Sequence, residues 1–162
     1  MVEGRVLRGL GGTLVAALAW FIMASAAAAQ PLACHGTPTN VRLLIDVQGV
    51  RSNHGYVVAN LYGPDRRRFL EDNGWLAVWR DPARPGTETM CLYLPAPGTY
   101  ALVMYHDANG NGVLDQGPFG IPLEGFGFSN NVRPFLMAPS LKSASFFAGA
   151  GDTRLQIRLH YP

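Results

Sequence analysis

From residue 41 onward the chain alternates. Val41, Leu43, Ile45 and Val47 are apolar, and Arg42, Leu44, Asp46 and Gln48 fall between them. A period of two predicts a strand with one buried face. Residues 55–62 place Val57, Ala59 and Leu61 on one side. Residues 90–94 set Met90, Leu92 and Leu94 against Cys91 and Tyr93, and Pro95-Ala96-Pro97-Gly98 ends that strand. Residues 100–106 are apolar on both faces, which predicts a central strand. Ala144, Phe146 and Ala148 fall at alternate positions. Leu155, Ile157, Leu159 and Tyr161 then alternate with Arg154, Gln156, Arg158 and His160. The Gly, Pro and Asn clusters between these runs are turn chemistry. Several short strands, turn signals and no long amphipathic helix predict an all-β antiparallel β-sandwich over residues 41–162.

Residues 64–86 are less regular. Phe69-Leu70-Glu71 suits a helical turn, and residues 75–80 a further strand. Trp75 and Trp79, four apart, are expected to share a face. They serve either as core residues, as large aromatics usually do, or as an exposed platform for sugar.

The first 29 residues have a different character. Arg5 and Arg8 precede an apolar run from Leu14 to Met23, followed by the small residues Ala24-Ser25-Ala26 and Ala27-Ala28-Ala29. This is the layout of a secretory signal peptide with cleavage after Ala29. The run is shorter than the ~20 residues that a membrane-spanning helix needs. Residues 30–40 then form a lead-in. The expected destination is outside the cytoplasm, in the periplasm or the medium, with no transmembrane segment in the mature protein.

Charge narrows the partners. The full chain of 162 residues carries 13 basic and 11 acidic side chains, a net of +2. The only basic cluster is Arg66-Arg67-Arg68, which suits a solvated loop. Electrostatic capture of nucleic acid or anionic lipid is not expected from so balanced a chain. The two cysteines, Cys34 and Cys91, are an even count bound for an oxidising compartment. They are expected to form a disulfide, the alternative being two unrelated thiols.

The stretch richest in chemistry is Asp107-Ala108-Asn109-Gly110-Asn111-Gly112-Val113-Leu114-Asp115. Oxygen-bearing side chains stand at positions 1, 3, 5 and 9, with glycine at 6. That is the first part of an EF-hand-type calcium loop, in which Asp107, Asn109, Asn111, the Val113 carbonyl and Asp115 ring a hard cation. Position 12 is Pro118 where a bidentate glutamate belongs, so Glu124 would have to fold back as the further ligand. The alternative is an Asx-rich turn that caps its own backbone. Beyond it, residues 120–131 read either as a loop packed by Phe126 or Phe128, or as a binding surface using Glu124, Ser129, Asn130 and Asn131.

These motifs carry a resemblance. Gly98-Thr99-Tyr100-Ala101, His106-Asp107, the Asn-Gly-Asn-Gly loop, Leu114-Asp115, Phe119-Gly120-Ile121-Pro122, Glu124 and Gly127-Phe128-Ser129-Asn130 resemble domain of unknown function family 2141. The resemblance spans roughly residues 41–161 and is strongest over 100–131. It implies a small exported bacterial all-β protein, with no established activity to carry over. Residues 64–86, longer and richer in Arg, and the cysteine pair depart from it. At the level of fold analogy the sandwich is expected to be immunoglobulin-like or transthyretin-like.

Catalysis is not expected. His106, Asp107 and Ser129 are the residue types of a hydrolase triad, but neighbours in a strand point to opposite faces. Ser129 lacks the flanking glycines of a nucleophile elbow, and His35, His54, His106 and His160 show no zinc spacing. The expected function is a non-enzymatic binding or structural module with calcium as its only candidate cofactor. The competing class is a small secreted hydrolase or carbohydrate-active enzyme working at the Asp107–Glu124 surface.

Overall fold

In the computed structural model, which describes residues 1, 32–134 and 137–162, eight strands follow in chain order. They are β1 (Val41–Val50), β2 (Tyr56–Tyr62), β3 (Ala77–Pro82), β4 (Gly86–Tyr93), β5 (Gly98–Asp107), β6 (Gly125–Phe128), β7 (Ser145–Ala148) and β8 (Gly151–Arg158). A single helical turn, α1 (Leu141–Ala144), runs into β7 and is capped by the Ser140 side chain. The segment assigned to export and the first lead-in residues lie, Met1 and residues 32–40 apart, outside the described residues. Among the described residues no helix is long and apolar enough to cross a membrane.

The strands form two sheets. One has the order β4-β1-β8, the other β3-β2-β5-β6, with β7 also pairing β5. The alternating residues of β1 (Val41, Leu43, Ile45 and Val47) are all fully buried. They meet Val57, Ala59 and Leu61 of β2 and Leu102 and Met104 of β5 in the core between the sheets. Among the described residues every pairing between these strands is antiparallel except one: β1 and β8 run parallel, with Val41 opposite Gly151 and Gln48 opposite Arg158. A parallel pair needs a crossover connection, and here nearly the whole domain supplies it.

A second apolar cluster covers the outer face of the larger sheet. Tyr62, Phe69, Ala101, Val103, Phe128, Leu141 and Ala144 meet there. This is why β5 is apolar on both faces: Leu102 and Met104 face the inner core, Ala101 and Val103 the outer one. Phe69 reaches the outer cluster from linked turns rather than a helix, its ring edge-on to Tyr62 at 5.2 Å. The two tryptophans do not share a face. Trp79, within β3, packs on the inner core, and Trp75, ahead of β3, packs on the outer cluster. The four-residue spacing fails because the strand begins only at Ala77.

Cys34 and Cys91 form a disulfide across 57 positions, with Cα atoms 4.4 Å apart. His35 extends it by pairing with the backbone on both sides of Leu92, through Cys91 O and Tyr93 N. The N-terminal lead-in is thereby tied to the edge strand β4.

Candidate functional site: the β5–β6 neck and its loop

Strand β5 ends at Asp107, and β6 begins at Gly125, opposite His106. The calcium-like motif is therefore the long connection of a hairpin, and Asp107 and Glu124 stand at its neck. Both carboxylates are buried. Asp107 accepts the Asn111 N–H at 3.0 Å and the Gly112 N–H at 2.8 Å, one on each oxygen. Glu124 accepts the Ala108 N–H at 2.9 Å and the Asp115 N–H at 3.2 Å. Charge-assisted bonds of this kind are the strong ones, and each satisfies a backbone donor that the loop would otherwise strand.

The remaining polar side chains close the loop on itself. Asn109 Oδ1 accepts the Asn111 N–H at 3.0 Å, and Asn111 Oδ1 accepts the Val113 N–H at 3.0 Å. Both carboxamides donate to Asp115, from Asn109 at 2.7 Å and from Asn111 at 2.9 Å. Gly110 and Gly112 supply the left-handed backbone, with φ of 74° and 86°. The Tyr105 hydroxyl donates to the Gly112 carbonyl at 3.1 Å. Burial foremost, then the nearby Asp107 carboxylate, pushes that phenol up to about 12, so it remains a donor.

The structure thus joins Asp107, Asn109, Asn111, Asp115 and Glu124 in one network, to which Val113 contributes its N–H. A calcium ion wants six to eight oxygens aimed at one centre. In this arrangement the oxygens of Asp107 and Glu124 hold backbone N–H groups and those of Asp115 hold carboxamide N–H groups. Among the described residues no three His, Cys, Asp or Glu side chains gather as a metal-holding group. Turning both carboxamides would aim Asn109 Oδ1 and Asn111 Oδ1 at the Asp115 side, at the loss of two Asx bonds.

His106 follows the alternation of β5 and points inward, away from Asp107. Its Nε2 lies 2.9 Å from the His54 carbonyl and its Nδ1 2.8 Å from the Tyr161 hydroxyl. A carbonyl only accepts, so Nε2 carries the proton and Nδ1 accepts from Tyr161. The Tyr161 oxygen in turn accepts the Arg51 N–H at 3.1 Å, and the Arg51 guanidinium stacks 4.1 Å over the Tyr161 ring. Tyr161, His54 and Tyr105 are partners that sequence reasoning missed. The available signal was Gly125, where any Cβ would run into the Tyr161 ring.

Ser129, Asn130 and Asn131 lie at the far end of β6 and do not join the loop. Ser129 is buried, whereas Asn130 and Asn131 are exposed, and all three hold hydrogen bonds to the protein's own backbone. Ser129 is fully buried; its Oγ accepts the Leu102 N–H at 2.9 Å and donates to the Ala144 carbonyl. Asn130 donates to the carbonyls of Ser143 at 3.0 Å and Ser145 at 2.8 Å. Asn131 binds β8 as another strand would, donating to the Gln156 carbonyl at 2.9 Å and accepting the Arg158 N–H at 2.8 Å. Both asparagines hold left-handed backbone, φ 62° and 50°, which their type tolerates. Among the described residues no hydrogen bond links His106, Ser129 and a carboxylate.

A cleft of about 440 Å³ is lined by Gln48, Arg51, Thr87, Arg158 and Tyr161 among others and includes none of these loop residues. No curated protein and no solved structure matches the chain. The model of one family, described as an uncharacterized protein conserved in bacteria (DUF2141), matches residues 45–156, which takes in the β5–β6 neck, its loop and the Ser129–Asn131 clamp: the chain belongs to that family.

Proposed function

We propose that this is an exported, non-enzymatic β-sandwich module that presents a rigid β5–β6 loop for binding. The observation that carries the reading is that every candidate catalytic group is already engaged. Both nitrogens of His106, the hydroxyl of Ser129, and the carboxylates of Asp107 and Glu124 hold structural partners. A nucleophile or base needs a free lone pair in reach of substrate. The Cys34–Cys91 disulfide supports export, since such bonds persist in oxidising compartments. A panel of ester and glycoside substrates tests the reading. No turnover is expected, and turnover abolished by His106→Gln or Glu124→Gln would overturn it.

A second reading keeps calcium in the loop. It is favoured by the convergence of Asn109, Asn111 and Asp115, which need only two carboxamide rotations to offer more oxygen. Asp107, Asn109, Asn111, Val113, Asp115 and Glu124 would hold the ion, which would stiffen the loop without taking part in chemistry.

A further inference from the structure

The outer end of the β5–β6 loop is apolar. Asp115 and Gly117 pair back onto Leu123 and Ile121 through bonds of 2.8 Å, so residues 115–123 form a small projecting hairpin. Phe119 sits at its tip with φ 62° and is 100% exposed, while Val113, Ile121 and Leu123 are 58%, 57% and 59% exposed. No charged residue occurs between Asp115 and Glu124, and both of those carboxylates are turned into the loop. Large apolar side chains exposed together on one short hairpin point to an interaction site.

The base of the hairpin is cationic. The Arg80 guanidinium lies against Gly112, so close that a Cβ there would stand 3.0 Å from its Nη2. Arg51 stacks on Tyr161, whose ring packs against Gly125 on the other side of the neck. Among the described residues neither arginine has a carboxylate within ion-pair distance. Apolar side chains at a tip and guanidinium groups behind them complement a bilayer: phosphate headgroups at the surface, hydrocarbon beneath them.

The area argues against a second copy as occupant. Granting each of the four side chains the ~200 Å² of a full aromatic, their exposures leave under ~600 Å². A stable dimer buries ~800 Å² per partner with close shape complementarity. Lipid makes no such demand on shape.

We infer that the Val113–Leu123 hairpin is a membrane-interface anchor: Phe119, Ile121 and Leu123 insert among acyl chains while Arg51 and Arg80 meet anionic headgroup phosphates. The inference stands on the exposed tip and not on the non-enzymatic reading. Co-sedimentation of the full chain with vesicles of phosphatidylglycerol and phosphatidylethanolamine tests it, with phosphatidylcholine vesicles as the comparison. Because the apolar N-terminal run is common to every variant, the differences between variants report the hairpin. Phe119→Ser, at an exposed position that leaves the fold intact, is expected to weaken binding roughly tenfold or more. Arg51→Gln with Arg80→Gln should remove the preference for anionic lipid and its salt sensitivity. A Phe119→Trp variant should show quenching by bromine-labelled acyl chains beyond that of the native tryptophans. Equal vesicle binding by wild type and Phe119→Ser overturns the inference. So does a concentration-dependent dimer in sedimentation that Phe119→Ser dissolves, which would assign the tip to a second copy.

Discussion

Glu124 Oε1 accepts the backbone N–H of Ala108 at 2.9 Å, spanning the neck of the β5–β6 hairpin. With its other oxygen on Asp115 N–H, this one buried carboxylate holds the first and last turns of the loop together. Glu124→Gln keeps the shape but turns an amide donor toward one of two backbone donors. A buried donor left without a partner costs about 1–3 kcal/mol. Chemical denaturation should show a lower midpoint at unchanged m-value.

Gly125 is the next residue, and its lack of a side chain is what lets Tyr161 reach His106. Gly125→Ala must displace the Tyr161 ring and break the Arg51–Tyr161–His106 chain. Overpacking of this kind costs about 1–3 kcal/mol. Tyr161→Phe removes only the hydroxyl, so its smaller loss of stability, read in the same denaturation series, separates the bond from the packing.

The disulfide closes a loop of 57 positions. The chain-entropy relation gives about 4 kcal/mol for that length. Replacing both cysteines by Ala should lower stability by an amount of that order, and reductant should do the same to the native protein while leaving the double variant unchanged.

Glu88 faces inward on β4, and among the described residues its buried Oε2 has no partner. Burial, and then the Asp81 carboxylate, raises its pKa above the ordinary value. The folded state therefore binds this proton more tightly than the unfolded chain does. The stability linked to Glu88 is fully present below its unfolded pKa and is lost as pH rises through the raised folded value. Glu88→Gln should be more stable than wild type at neutral pH, and the two unfolding midpoints should converge in acid.

The strands were legible where burial is one-sided or complete. Val41, Leu43, Ile45 and Val47 announce β1 because period-two alternation is a local property, and the doubly apolar run of β5 announces a central strand, as it is in the order β3-β2-β5-β6; that a second apolar cluster covers its outer face is not local information. Pairing is not local. Nothing in residues 151–158 says that they lie parallel to β1. Trp75 and Trp79 were misplaced relative to each other because the start of β3 at Ala77 depends on the neighbour β2. The loop was recognised as one unit from its Asx spacing, and Asp107, Asn109, Asn111, Asp115 and Glu124 do meet. Spacing alone left open whether their oxygens bind metal or backbone, since the Asx side chains of a calcium loop and of a self-capped turn are the same. Ser129 read as a loop hydroxyl, because its neighbours Gly127 and Asn130 are turn formers, whereas it closes a backbone gap between β5 and α1.

The loop's carboxylates are satisfied by the loop's own N–H groups, and a thermal melt with and without calcium tests this most directly. The full chain is melted in EDTA and in about 10 mM calcium, roughly ten times the weakest dissociation constants of extracellular calcium modules. Coincident transitions are the predicted result, with Asp107→Asn lowering both equally. A rise in calcium of several degrees that Asp107→Asn abolishes would contradict the self-capped loop: mass action at tenfold excess adds about 1.4 kcal/mol, a shift of this size for a domain of such length.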